Sequence, residues 1–281
     1  MDEMTDGQES NVIDLGLDGK RAVVSGAGYI PGRAGHGRRS AQRLAEAGAT
    51  VACIDIDEGR ANGIVEEITE AGGKAFPVVA DMTDRAQVSH AIDEAVAGLG
   101  GLDVCVSIIG KATWDKGEEF SDEDWRWTID NNLTHVFYLF QAAGKKMIEQ
   151  GTGGSMVALA SVDGIAAAIY HAPYGAAKAG VISLCKTFAD ELGRYGIRVN
   201  AVAPGNVGDG NESQPEGEYN VNGINPLAAP RNIDIANAVL FLSSSLAERI
   251  SGQTIAVDGG ATIHGLWGMT EEQIAAYRRA Y

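Results

Sequence analysis

An acidic chain of 281 residues, with 38 Asp and Glu against 22 Lys and Arg and a formal net charge of −16, has no clustered basic face for a nucleic-acid backbone or an anionic membrane surface. Its 45% hydrophobic content is enough for one large core and lies in short runs, none of membrane-spanning length. The three cysteines, Cys53, Cys105 and Cys185, are widely spaced, with neither metal-ligand spacing nor a disulfide framework, and read as small buried hydrophobes.

Residues 1–17 form a polar, acidic leader without the marks of a signal or transit peptide, which predicts a cytoplasmic protein. Short β-rich runs then alternate with helix-length segments. The predicted strands are Arg21–Ser25, Thr50–Asp55, Ala75–Ala80, Leu102–Ser107, Ser155–Ala160, Ile197–Val202 and Thr254–Val257. Helical patterns lie near 38–47, 58–71, 84–98, 122–150, 173–194 and 233–246. Strand–helix alternation with largely apolar strands predicts a parallel sheet covered by helices on both faces, an α/β doubly wound domain over 18–264. Residues 206–227, rich in Gly, Asn, Pro and Glu, read as a long loop suited to a substrate lid, and 265–281 as a helical tail opened by a capping box at Thr270. Leu266, Trp267 and Met269 of that tail are candidates to cap an apolar substrate pocket.

The first strand runs into Gly26-Ala27-Gly28, and a helix opens at Gly35-His36-Gly37. Glycines in a strand–turn–helix let the backbone approach a pyrophosphate, which the helix N-terminus attracts. The second strand ends at Asp55, where an acid accepts hydrogen bonds from the adenosine ribose and repels the extra phosphate of NADP. Asp57 adds a second carboxylate, so NAD is the expected cofactor. His36 reads as incidental to the turn, and Trp114, Trp125 and Trp127 as core or interface aromatics.

Tyr174 and Lys178 are four apart on a predicted helix, so phenol and ammonium share a face. The ammonium, with the positive nicotinamide of an oxidised cofactor, is expected to lower the tyrosine pKa toward that of a useful base. Ser161, thirteen residues earlier at a strand end, can hold the substrate oxygen, and Asn132 lies in the helical stretch before that strand. His171 is read equally as pocket lining or as packing.

These residues, in this order, resemble the short-chain dehydrogenase/reductase family over about residues 18–262. Ser161, Tyr174 and Lys178 match its Ser…Tyr-x-x-x-Lys signature, and Asn132 matches its helix asparagine. The resemblance implies a Rossmann-like sheet of about seven parallel strands. It makes Tyr174 the general acid/base, Ser161 the group positioning the substrate oxygen, Lys178 the ribose ligand, and Asn132 the support of a proton relay through water. It assigns Asp81 to the adenine, Gly110 to the turn after the fourth strand, and Pro204, Gly205 and Val207 to the segment leading to the nicotinamide. A secondary alcohol or ketone is the implied substrate, in a dimer or tetramer.

Three features differ from the family pattern. Eight residues separate Gly26 from Gly35 where the family has three; counting back from Ala47-Gly48 makes Gly35 and Gly37 the second and third motif glycines. Tyr29–Arg33 is then an insertion, expected to form a flap above the phosphate site. The turn after the fourth strand reads Ser107-Ile108-Ile109-Gly110 where the family has Asn-Asn-Ala-Gly, and Asp209 replaces the threonine that follows Pro-Gly. The first two of these motivate a second reading, a non-catalytic dinucleotide-sensing or scaffold protein.

Overall fold

The computed structural model describes residues 13–30, 35–207, 227 and 229–263. Seven strands form one sheet: β1 (Arg21–Ser25), β2 (Thr50–Asp55), β3 (Lys74–Val79), β4 (Val104–Ser107), β5 (Gly154–Leu159), β6 (Ile197–Pro204) and β7 (Thr254–Val257). All six pairings are parallel and the strand order is β3-β2-β1-β4-β5-β6-β7. The helices are α1 (His36–Glu46), α2 (Glu58–Glu70), α3 (Arg85–Leu99), α4 (Asp122–Ile129), α5 (His135–Gln150), α6 (Ala172–Gly193) and α7 (Asn232–Ser243).

Because successive strand residues point to opposite faces, β1 feeds two cores. Val23 packs with Ile92, Phe140 and Val181 of α3, α5 and α6, whereas Ala22 and Val24 pack with Leu44, Ile64 and Val239 of α1, α2 and α7. Pro77 is tolerated because β3 is an edge strand, paired only with β2. The strand order reverses direction between β1 and β4, which opens a crevice at their carboxyl ends.

Element boundaries shift by up to three residues from the sequence-based expectation, and three of the differences have a visible partner or cause. Strand β4 begins at Val104, because the Leu102 N–H donates instead to Gln150 Oε1 at 2.8 Å. Strand β6 runs on to Pro204, whose partner is Val257. The helical stretch 122–150 is three elements, α4 and α5 joined by a π-helical turn over Asp130–Thr134 that contains Asn132. The end of the predicted leader also belongs to the domain: Leu17 is buried in the core, and the Leu15 carbonyl accepts from Ser245 N–H. The tail from 265, most of the 206–227 loop, Asp209 and residues 31–34 lie outside the described residues.

Candidate active site

At the crevice between β1 and β4 lies a cleft of about 690 Å³. The loops after β1, β2, β3 and β4 line it, with Gly26, Asp55, Asp81 and Gly110 among the lining residues, and so do Gly35, His36 and Gly37 at the start of α1. The first N–H groups of a helix have no intrahelical acceptor, so α1 presents donors and a positive dipole end here. Gly37 allows that approach: a Cβ on it would lie 1.9 Å from the Gly26 carbonyl oxygen. Gly35 faces open space, as a glycine meant to receive a ligand should.

The two acids are held by backbone donors. Asp55 accepts from the N–H groups of Gly28 and Asp57, each at 3.1 Å. Asp81 accepts from the N–H and hydroxyl of Thr83 at 2.8 and 2.7 Å. Asp57 instead caps α2, accepting from Arg60 N–H at 2.9 Å, and Arg60 rather than a second acid lines the cleft beside Asp55. The described part of the predicted insertion leans over the β2–α2 side, with Tyr29 N–H donating to the Arg60 carbonyl and its ring beneath the Arg38 guanidinium. Ile30 lines the cleft beside Gly28 and Gly35, and residues 31–33 of the expected flap lie outside the described residues.

The second cluster sits where β5 turns back onto α6. After Ser161 a single 3-10 turn, Val162–Gly164, lies directly on α6: a Cβ on Gly164 would come within 2.7 Å of the backbone at Lys178 and Ala179. That close approach brings Ser161 to the helix carrying Tyr174 and Lys178, which Pro173 helps to start. Ser161 Oγ accepts from Asp163 N–H at 3.1 Å. Lys178 is fully buried, 5.5 Å from the Tyr174 ring centroid, and its Nζ donates to the Leu159 carbonyl at 2.9 Å. A Cβ on Gly110 would meet both Lys178 Nζ and Asn132 Oδ1 at 3.3 Å, so the ammonium stands at the cleft wall. Asn132 is spent on structure: its amide oxygen accepts from Lys111 N–H, and its NH₂ donates to the carbonyls of Lys111 and Thr128. It thereby ties the turn after β4 to the π-turn, a kind of element that recurs at functional sites.

Burial dominates the electrostatics. It pushes the Lys178 ammonium down to about 7 and, aided by the Lys178 charge, lowers His36 to about 4 and the wholly buried His135 to about 3. The Tyr174 phenol is raised rather than lowered: burial dominates, the Ser161 hydroxyl opposes it, and the Asp163 carboxylate adds to it. The expected lowering by Lys178 is thus absent in the cofactor-free protein, because desolvation of the phenolate outweighs an ammonium that is itself desolvated.

A lysine lowered on folding holds fewer protons in the native state than in the unfolded one between pH 7 and 10.5, so stability rises with pH across that window. We predict that Lys178→Met stabilises the protein below pH 7, by on the order of 5 kcal/mol at the most. The advantage over wild type shrinks as pH rises toward 9. Urea unfolding of both proteins at several pH values reads the difference; a pH-independent difference contradicts an uncomfortable buried charge.

The structure therefore gathers Gly26, Gly35, Gly37, Asp55, Asp81, Gly110 and Val207 along one cleft, with Ser161, Tyr174, Lys178 and Asn132 grouped at its Gly110 end. Pro204 and Gly205 close β6 beside β7, Gly205 N–H donating to the Val257 carbonyl. His36, read as incidental, lines the cleft. Trp114, Trp125 and Trp127 are 70%, 47% and 40% exposed and are not core. The residue missed altogether is Asp163, which touches Ser161, raises Tyr174 and pairs with His171; its one signal is its place two residues after Ser161.

A protein-family model described as enoyl-(acyl carrier protein) reductase matches residues 32–262. D-threitol dehydrogenase of Mycolicibacterium smegmatis is 35% identical over 92% of this chain and 100% of its own. A 3-oxoacyl-(acyl-carrier-protein) reductase of Thermotoga maritima is 35% identical over 88% of this chain and 99% of its own. Among solved structures, carveol dehydrogenase from Mycobacterium avium in complex with NAD superposes with a TM-score of 0.79 at 30% identity, over 88% of this chain and 99% of that one.

Proposed function

The chain belongs to the short-chain dehydrogenase/reductase family of nicotinamide-dependent oxidoreductases, and on that premise we propose that it moves a hydride between NAD and a secondary alcohol or ketone. The observation that carries the reading is the buried Lys178 ammonium, standing between Tyr174 and the cleft wall at Gly110. The cleft suits a dinucleotide: donors at the α1 N-terminus for the pyrophosphate, Asp81 for the adenine, and a carboxylate at the end of β2 for the adenosine ribose. The nicotinamide ring, when bound, supplies or accepts the hydride.

The chain's own residues supply positioning and proton transfer. Ser161 Oγ and the Tyr174 hydroxyl receive the substrate oxygen between them. In oxidation Tyr174, as phenolate, takes the hydroxyl proton; in reduction it returns one. Lys178 would hold ribose hydroxyls with the donors not given to Leu159, and a positive charge there would favour the phenolate form of Tyr174. Asn132, whose amide is committed to Lys111 and Thr128, serves a proton relay only by fixing the turn after β4 beside Lys178, where water can take the proton. Pro204, Gly205 and Val207 wall the nicotinamide side. The family resemblance further supports a homodimer or homotetramer.

Asp55, at the end of β2 and held by the Gly28 N–H, supports a preference for NAD over NADP, since a carboxylate there would accept from ribose hydroxyls and repel a 2′-phosphate. Arg60 beside it makes a sharp test possible. Absorbance at 340 nm with a panel of secondary alcohols should show turnover with NAD and little with NADP. Asp55→Ser leaves Arg60 in place and should shift the preference at least about tenfold toward NADP, the loss of one repulsive contact worth about 1.4 kcal/mol. An unchanged preference in that variant removes Asp55 from the account.

A further inference from the structure

One polar group at the Tyr174 end is left over by this mechanism. His171 caps the start of α6, three residues before Tyr174, and is buried. Its Nδ1 lies 3.0 Å from Asp163 Oδ2, and its ring is 5.1 Å, centroid to centroid, from the Tyr174 ring. The other nitrogen, Nε2, is buried and has no hydrogen-bond partner among the described residues. Buried polar atoms without partners are rare, and one beside a catalytic cluster calls for a ligand.

The surroundings fix what that ligand must offer. A carboxylate accepts only, so Asp163 selects the tautomer with its proton on Nδ1, in which Nε2 presents a lone pair. It therefore takes a donor, a hydroxyl, and not a ketone or ether oxygen. The indole of Trp114 lies over the His171 ring, 3.2 Å between centroids, while remaining 70% exposed to solvent. It is held there by the Asp115 N–H, which donates to the Tyr170 carbonyl at 3.1 Å. Tyr170 has φ of +61°, a left-handed conformation that a bulky side chain adopts at a cost, and such strain collects at ligand sites. Asp163 joins the two ends of the arrangement, since its own N–H donates to Ser161 Oγ.

We propose that His171, oriented by Asp163, recognises the substrate: its Nε2 accepts a hydrogen bond from a second hydroxyl, one or two carbons from the carbinol that reacts at Tyr174. The substrate class is then a diol or the matching hydroxyketone, with its C–H face against Trp114. This rests on the alcohol–ketone reading above and narrows it. The reacting carbinol loses its hydride to the nicotinamide and its proton to Tyr174; the second hydroxyl is unchanged, and the product is a hydroxyketone.

The test compares matched pairs in both directions, butane-2,3-diol with butan-2-ol and acetoin with butanone. Wild type should favour the hydroxylated member by tenfold or more in kcat/KM. His171→Phe keeps the ring and removes the acceptor, and should lower kcat/KM for the diol about 10- to 100-fold while leaving butan-2-ol within about threefold. His171→Gln, which restores an acceptor, should recover part of the loss. Asp163→Asn, which no longer dictates the tautomer, should raise KM for the diol more than for butan-2-ol. Equal use of both members by wild type, or an equal fall for both in His171→Phe, overturns the proposal and leaves the oxidoreductase reading standing. Turnover of neither pair nor of any other secondary alcohol or ketone, in protein that binds NADH, overturns that reading itself.

Discussion

Tyr174→Phe should fold, bind the nicotinamide cofactor as wild type does, and lose turnover by about 10³-fold or more, at the upper part of what a positioned acid/base contributes. The substitution removes one oxygen. The ring keeps its packing beside His171 and Lys178, so thermal stability should change little. What is lost is, among the described residues, the one group proposed to exchange the substrate proton, because Ser161 is a poor base and Lys178 faces the cleft wall at Gly110. Steady-state rates with an alcohol substrate and NAD, read beside cofactor affinity, separate chemistry from binding. Full activity in the variant contradicts the mechanism, and a wild-type protein that binds cofactor without turnover returns the sensor or scaffold reading.

The second large effect is expected at the opposite end. Gly37→Ala places a methyl 1.9 Å from the Gly26 carbonyl oxygen and 3.1 Å from Ala27 Cα. Both neighbours are backbone, and the Gly26 and Ala27 N–H groups are tied to the Ile54 carbonyl, so neither can step aside alone. Helix α1 must lift from β1. Overpacking of this kind costs about 3 kcal/mol, or roughly a 6–12 °C fall in melting temperature for a domain of this size. Cofactor affinity should fall with it, because the displaced helix start carries the pyrophosphate donors. Gly35→Ala, which meets nothing within 4 Å, should leave stability nearly unchanged, and a similar loss in both variants contradicts the packing argument.

The architecture was legible because two periodicities and their punctuation agree. Each β run sits between turn residues, and each helix begins near a recognisable start, such as the Asp57 cap of α2, the Asp84 cap of α3 and Pro173 in α6. Counting back from Ala47-Gly48 identified Gly37 despite the lengthened loop, since the length of α1 is fixed by the strand it crosses. The π-turn at Asn132 was not legible: one extra residue in a helical turn leaves no compositional trace, and its cause is a side chain reaching across to Lys111.

Residue types pointed to the catalytic set, but its electrostatics depended on burial that spacing cannot supply. The four-residue spacing of Tyr174 and Lys178 predicts one face; it does not say that Lys178 is sealed from water or that Asp163 stands near the phenol. The upward pull of burial and of Asp163 on the Tyr174 phenol was therefore not weighed. The three tryptophans illustrate the same limit. Their size suggests a core or an interface, and only exposure decides between them: Trp114 lies at the surface over His171.

The proposed hydride transfer requires that the cleft hold a dinucleotide, and the role proposed for Asp55 is to choose which one. Titration of the purified protein with NADH and with NADPH, followed by nicotinamide fluorescence, tests this directly. The account predicts saturable NADH binding at least about tenfold tighter than NADPH, a difference of about 1.4 kcal/mol. Tighter binding of NADPH would contradict the role given to Asp55, and binding of neither would contradict the assignment of the cleft.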